Sequence, residues 1–213
     1  MQIQIANNKE VWDNFVLENE AIFTQSWDWG SILSAEGKKV ERIIVLEDEK
    51  IVAATLAIYN FFPFGIKYVF CPWGPIWSKN SCSQVSTCLD ALTKYFSDQG
   101  CVFARVEPLF CFDNIKLKKV KDVSPSHTLI VDTRKGDEEL MASFEKKTRY
   151  EIRQAQKNNL EIKEWKDFDI FWGLMKKTTA HDGFRPHSEE HYRKILESEK
   201  EWNKLMEDIK DYP

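Results

Sequence analysis

The stretch VERIIVLEDEKIVAATLAIY, residues 40–59, decides the fold. Val40–Leu46 and Ile51–Tyr59 are apolar and β-branched, and the polar tetrapeptide Glu47-Asp48-Glu49-Lys50 between them reads as a turn. A β-meander is therefore expected. Gly65 marks the next turn, into a strand Ile66–Cys71 that leads to Pro72-Trp73-Gly74-Pro75. Upstream, residues 2–5 alternate weakly as a short strand. Asn7 or Asn8 can cap a helix carrying Val11, Trp12, Phe15 and Val16, and a second helix starts in Thr24–Gly30 and ends near Gly37. Downstream, Cys82 to Gln99 has helical spacing of apolar residues, stopped by Gly100, and Cys101–Val106 reads as a buried strand. A basic knot follows at Lys116, Lys118, Lys119 and Lys121, then a strand His127–Asp132.

A second unit is expected from about residue 135. Asp137-Glu138-Glu139 suits a helix start. That helix is expected to run to Asn158, followed by a strand Leu160–Trp165, a helix Phe168–Thr179, a turn Gly183–Pro186 and a helix from Ser188 to about Asp211. One strand among three helices does not complete an α/β domain. The reading divides the chain into residues 1–134 and 135–213.

Composition narrows the function. The chain has 213 residues, 43% hydrophobic and 30% charged, which supports a packed core and excludes wholesale disorder. Length over about 150 residues per domain gives about 1.4 domains. No run of about 18 uncharged apolar residues occurs, as a membrane span would need. The N-terminus has no basic and apolar signal pattern, so the cytoplasm is expected. The net charge of −4 argues against a generic nucleic-acid coat; an anion would be held by a local patch. Eight Trp and fourteen Phe imply a large core or an aromatic groove. Five cysteines, an odd number without CxxC, do not make a disulfide framework. His187 and His191, at i and i+4, have no third metal ligand in view, so no metal is expected.

Three patterns could carry chemistry. Lys146, Arg149, Arg153 and Lys157 share one helix face, suited to phosphate, or else a solvated face with pairs such as Glu145–Arg149. Gly74, between Trp73 and Pro75 at a strand end, lets backbone approach a ligand, or simply turns the chain. Thr179–His187 offers His181, Asp182, Arg185 and His187 as acid, base or anion clamp, or as a capped surface loop. Neither GxGxxG, GxxxxGK[ST] nor GxSxG occurs.

Five segments in order carry a resemblance. They are Gln25-Ser26-Trp27-Asp28-Trp29-Gly30, Cys71-Pro72-Trp73-Gly74-Pro75, Phe103-Ala104-Arg105-Val106-Glu107-Pro108, His127-Thr128-Leu129-Ile130-Val131-Asp132, and Lys146 through Ala155. In this order and spacing, from about residue 8 to 196, the chain resembles the FemABX family of peptidoglycan bridge-forming aminoacyltransferases. The resemblance implies an α/β chain: one GNAT-like (acyl-CoA N-acyltransferase fold) domain and the incomplete start of a second. It implies transfer of an amino acid from aminoacyl-tRNA to the stem peptide of lipid II or its UDP-linked muramyl-pentapeptide precursor. It implies no cofactor beyond that donor, and peripheral contact with the membrane face.

The substrate contacts expected are Trp29, Trp73, Gly74, Arg105, Lys147, Arg149, Arg153, His187 and Tyr192. Ser31 stands where the family's best-understood branch has a precursor-contacting Lys. His187 and His191, with Tyr192 adjacent, stand where a second-domain loop supplies an Arg and a Tyr. No catalytic residue is assigned, because the family's catalytic groups lie beyond Pro213. The alternatives are a GNAT-like acyltransferase with another acceptor and a truncated, non-catalytic precursor-binding protein.

Overall fold

The structure is a computed structural model that describes residues 1–79, 84–109, 117–125, 127–158 and 167–196. It divides into two compact units. One comprises residues 1–124 together with the chain from His187 onward, and the other residues 125–186.

The first unit is built on the meander. Strands β1 (Gln2–Ile5), β2 (Lys39–Glu47), β3 (Lys50–Phe61) and β4 (Lys67–Cys71) pair antiparallel in that order, and β6 (Cys101–Val106) adds parallel to β4. The short β5 (Ile76–Trp77) pairs with β3. The turn between β2 and β3 places both Asp48 and Glu49 at positive φ, which matches the twist of the flanking strands. A bulge skips Val52 in the β2–β3 ladder.

Helices cover both sheet faces, so β3 can be an almost unbroken apolar run. On one face lie α1 (Lys9–Glu18) and α2 (Trp27–Ala35), packing Trp12, Phe15, Val16 and Leu33 on Ile44, Ala54, Leu56 and Ile58. On the other, α3 (Val85–Asp98) packs Val85, Cys88, Leu89, Leu92 and Phe96 on Ile43, Val45, Ala57 and Val69. Caps fix the helix starts: Asn8 accepts from Val11 N, and Ser26 from Trp29 N. Lys9, Asp13, Asp28 and Arg42 are drawn together between α1, α2 and β2. Lys9 meets Asp28 at 2.5 Å, and Asp13 accepts from Trp27 N at 2.9 Å. Burial raises the Asp13 carboxyl above its usual range against the pull of that N–H and Lys9.

The ladder beside β3 is interrupted. β4 pairs with Ile58–Phe61 and β5 with Ala53 and Ala54, leaving Thr55–Ala57 without a strand on that side. There the Leu56 N–H would be orphaned. Gln25 fills the gap: its Oε1 accepts from Leu56 N at 2.8 Å, and its Nε2 donates to Pro72 O. Trp12 Nε1 donates to the Gln25 carbonyl at 2.7 Å. Gln25 is fully buried.

Several expectations are corrected. Cys101–Val106 is a strand, but not a buried one: Val102 and Phe103 are exposed, because β6 is an outer strand of the described sheet. His127–Asp132 forms no strand. Among the described residues it has no ladder partner, and Leu129 and Ile130 are exposed. The single helix expected over 137–158 is two helices, α4 (Asp137–Ser143) and α5 (Lys146–Lys157). The break falls where Ser143 Oγ donates back to Leu140 O at 2.7 Å and Phe144 turns extended.

α6 (Phe168–Asp182) starts on an Asp167 cap and ends at left-handed Gly183, so His181 and Asp182 belong to its last turn. The expected strand Leu160–Trp165 lies outside the described residues. Of the expected final helix, residues 189–196 are helical and the remainder lies outside them.

Candidate functional site

In the first unit residues 187–196 pack on α2 and the residues just after it. His191 is buried, with its ring edge-on to Trp29 at 5.9 Å and tilted against His187 at 4.4 Å. Tyr192 lies 5.5 Å from His191 and 6.3 Å from His187. Phe23 backs Trp29 edge-on at 5.3 Å. Three of the expected residues, Trp29, His187 and Tyr192, are thus brought together.

The residue that joins them is Glu36, which the sequence reading did not name. His191 Nδ1 donates to Glu36 Oε1, and Lys194 Nζ donates to Ala35 O at 2.9 Å beside it. A carboxylate only accepts, so it is Nδ1 that carries a proton at this contact. A carboxylate that orients an imidazole is an arrangement used in proton transfer. Glu36 and His191 are 155 residues apart in sequence, and no motif links them.

The recess here holds about 360 Å³, lined by Glu36, Lys38, His187, Ser188, Glu190 and His191. A larger cleft of about 460 Å³ beside β1 and α1 is lined mostly by amides and apolar side chains such as Gln4, Asn8, Trp12 and Leu46. It lacks a convergent ionisable pair, so the recess is the stronger candidate.

Burial, and then the neighbouring His191 and Lys38, hold the His187 imidazole below its ordinary value, with Glu36 opposing. This disfavours the charged form of His187, so an anion on it would need acid conditions. A depressed histidine favours the folded state above its unfolded value near 6.5 and withdraws that support as pH falls through its folded value. Proton NMR titration is expected to place the His187 midpoint below 6.5, and a midpoint at or above that value would contradict this environment.

Trp73, Gly74 and Arg105 lie where β4 and β6 diverge. Trp73 is partly exposed and held at φ +54, a conformation costly to a large side chain. Gly74 makes its close approach to the protein itself: a Cβ there would lie 2.7 Å from Thr55 Oγ1 and 2.8 Å from Gln25 Nε2. Arg105 donates to Lys121 O and lies 3.7 Å from Glu107, which accepts from Ser124 Oγ at 2.6 Å. Both residues pin the returning segment to β6, so Arg105 has a structural task the sequence reading missed. Ser31 Oγ is likewise occupied, accepting from Arg42 at 3.0 Å while that guanidinium stacks 4.0 Å over Trp27.

In the second unit, α5 carries Lys146, Arg149, Arg153 and Lys157 on one face, as the spacing requires. Arg149 turns back to the Phe144 carbonyl and so caps α4. Lys147 faces Glu151 at 3.8 Å. Arg153 is exposed and, among the described residues, makes no ion pair. With the exposed Lys146 and Lys157 it is placed to meet an external anion.

Among the described residues, no group of three or more His, Cys, Asp or Glu is placed to hold a metal ion. No helix among them is long and apolar enough to cross a membrane.

The mixed sheet, with one parallel step through α3 and helices on both faces, defines an α/β chain of GNAT-like fold. The FemAB family model matches residues 8–133 and 113–206, and the chain belongs to the FemAB family. A crystal structure of FemX shares the fold, with a TM-score of 0.73 at 19% identity. The match covers 93% of this chain and 55% of that one, so the chain spans about half the length of FemX. A GNAT family acetyltransferase of Staphylococcus aureus is matched at TM-score 0.41 and 12% identity, over 59% of this chain and 98% of that one. An aminoglycoside 6'-N-acetyltransferase of Acinetobacter haemolyticus is matched at 0.39 and 15%, over 61% and 99%. No curated protein matches the chain.

Proposed function

We propose that this chain acts in aminoacyl transfer in the cytoplasm, moving an amino acid from aminoacyl-tRNA to the stem peptide of a peptidoglycan precursor, lipid II or its UDP-linked form. The observation that carries this reading is the FemAB family match along residues 8–133 and 113–206. The reaction needs no cofactor beyond the charged tRNA. A neutral amine attacks the ester carbonyl, the amide C–N bond forms, the ester C–O bond breaks, and the tRNA hydroxyl leaves with the amine's proton. The protein must place the two substrates, remove that proton and stabilise the developing oxyanion.

The chemistry of the residues supports the reading in two ways. Both substrates carry phosphates, and Arg153 with Lys146 and Lys157 offers them a cationic face on a chain of net charge −4. The Glu36-oriented imidazole of His191 suits the removal of a proton from an amine.

Arg153→Ala is expected to weaken binding of UDP-linked precursor or of tRNA about five- to tenfold at low salt, and less at high salt, with the melting temperature unchanged. Arg149→Ala is expected to perturb the α4–α5 junction as well, because it removes the cap on Phe144 O. Affinities identical to the parent chain across a salt series would reject the phosphate face. Failure to transfer label from any aminoacyl-tRNA to either precursor form would reject the reading.

A further inference from the structure

The hairpin between β3 and β4 is apolar in the wrong place for a protein exposed only to water. Residues 61–66 read Phe-Phe-Pro-Phe-Gly-Ile, without one polar side chain. Phe64 is 101% exposed at the apex, Phe61 63%, and Phe62 and Ile66 are also exposed. Phe64 and Gly65 both take positive φ, so the chain reverses tightly and thrusts the Phe64 ring outward. The result is a convex knob rather than a groove.

At the base of the knob the side chains change character. Phe62, Tyr68 and Phe103 stack in a row with successive centroids 4.9 Å apart, and Val102 lies exposed on the same strand as Phe103. Cations stand at the base of the knob. Lys67, the ladder partner of Phe61, donates Nζ to Gln99 O and lies 5.5 Å over the Tyr59 ring; Lys39 lies 4.7 Å over the same ring and 3.8 Å from Glu41. Among the described residues Lys67 has no carboxylate partner. An apolar apex with aromatic rings and a lysine at its base matches a bilayer surface, where acyl chains give way to interfacial rings and anionic headgroups. The last ladder pair is Phe61 with Lys67, so the apex reaches at most about 10 Å beyond it at ~3.3 Å per residue. That reach matches the depth of interfacial elements.

We infer that the Phe61–Ile66 hairpin docks this protein on an anionic lipid bilayer, with the phenylalanines in the interface and Lys67 at the headgroups. The charge of Lys67, without a carboxylate partner among the described residues, selects an anionic lipid surface over an apolar partner. The Lys39–Tyr59 register puts the recess of Glu36 and Lys38 at the same end of the sheet as the hairpin. This deepens the proposed function, and its meaning for catalysis rests on that reading: a docked unit presents the recess toward an acceptor carried by the membrane.

Vesicle co-sedimentation of the 213-residue chain tests this without tRNA or precursor. Vesicles of equimolar phosphatidylcholine and phosphatidylglycerol are compared with vesicles of phosphatidylcholine alone. Binding is expected to be stronger on the anionic vesicles. Phe64→Asp should reduce it at least tenfold with an unchanged melting temperature, since the ring touches little. Lys67→Gln should cost about fivefold on anionic vesicles only. Absence of parent binding to anionic vesicles, or equal binding by Phe64→Asp, overturns the inference. So does a parent chain that is dimeric by sedimentation, becomes monomeric on Phe64→Asp and ignores vesicles, because the knob would then be a contact between copies. Soluble UDP-linked precursor should bind Phe64→Asp as it binds the parent, which keeps failure here separate from failure of the transferase reading.

Discussion

Gln25→Ala is expected to lower the unfolding free energy of the first unit by about 4 kcal/mol. The substitution orphans the Leu56 N–H and the Pro72 carbonyl in the interior, at about 1–3 kcal/mol each, and leaves a cavity where a fully buried side chain stood. Tryptophan fluorescence in a urea titration reads this directly, because Trp12, Trp27, Trp29, Trp73 and Trp77 all lie in this unit. A midpoint within experimental error of the parent would show that Gln25 does not bridge the interrupted ladder. Gln25 also joins the start of α2, which carries Trp29, to the Pro72–Pro75 turn, which carries Trp73, so the substitution should loosen both indoles.

Gly74→Ala should cost about 2–3 kcal/mol by the opposite mechanism, overpacking. The new methyl would meet Thr55 Oγ1 at 2.7 Å and Gln25 Nε2 at 2.8 Å. Neither atom yields easily: Thr55 is fully buried, and Gln25 is held by two hydrogen bonds. Gly74 does not adopt a positive φ, so the backbone itself tolerates alanine and the penalty is purely steric. The pair gives a sharp check. In the Gln25→Ala/Gly74→Ala double variant, the methyl moves into vacated space. The combined loss should then be clearly smaller than the sum of the single losses. Additive losses would mean that the two residues do not touch in solution.

Much of the fold was legible because its signals are local. The run Val40–Tyr59 with its polar turn predicted β2 and β3. Asn8 before an apolar stripe predicted the cap of α1, and Gly100 after Phe96 predicted the end of α3. Each depends on periodicity or on backbone freedom over a few residues. The misreadings occurred where the answer depends on a distant neighbour. Cys101–Val106 is apolar enough to be a central strand, yet in the described sheet it is an outer one. His127–Asp132 is β-branched, but propensity without a partner makes no ladder. Ser143 and Phe144 interrupt a helical pattern that charge and apolar spacing carry straight through.

The site divides in the same way. The α5 face was readable, since 3.6 residues per turn aligns Lys146, Arg149, Arg153 and Lys157 wherever the helix packs. Its sorting was not, because only the structure shows Arg149 spent on Phe144 O and Arg153 left exposed. Gly74 was singled out for close backbone approach, and the structure shows that it closely approaches Thr55 and Gln25, distant residues that the sequence could not link to it. His187 and Tyr192 were assigned by resemblance to a loop of the second domain. In the structure they pack with Trp29 in the first unit.

By itself the sequence determined an α/β chain with a β-meander core and a cationic helix face, and the resemblance it carries is to the family whose model matches residues 8–133 and 113–206. These follow from short-range periodicity, turn chemistry and the order of motifs. Only the tertiary structure decided that Gln25 completes the sheet, that Glu36 orients His191, and that six apolar residues project from the β3–β4 turn. The physical reason is that each of these is a statement about burial or pairing. Whether a polar atom finds a partner, or an apolar ring finds cover, depends on which distant residues the fold brings beside it.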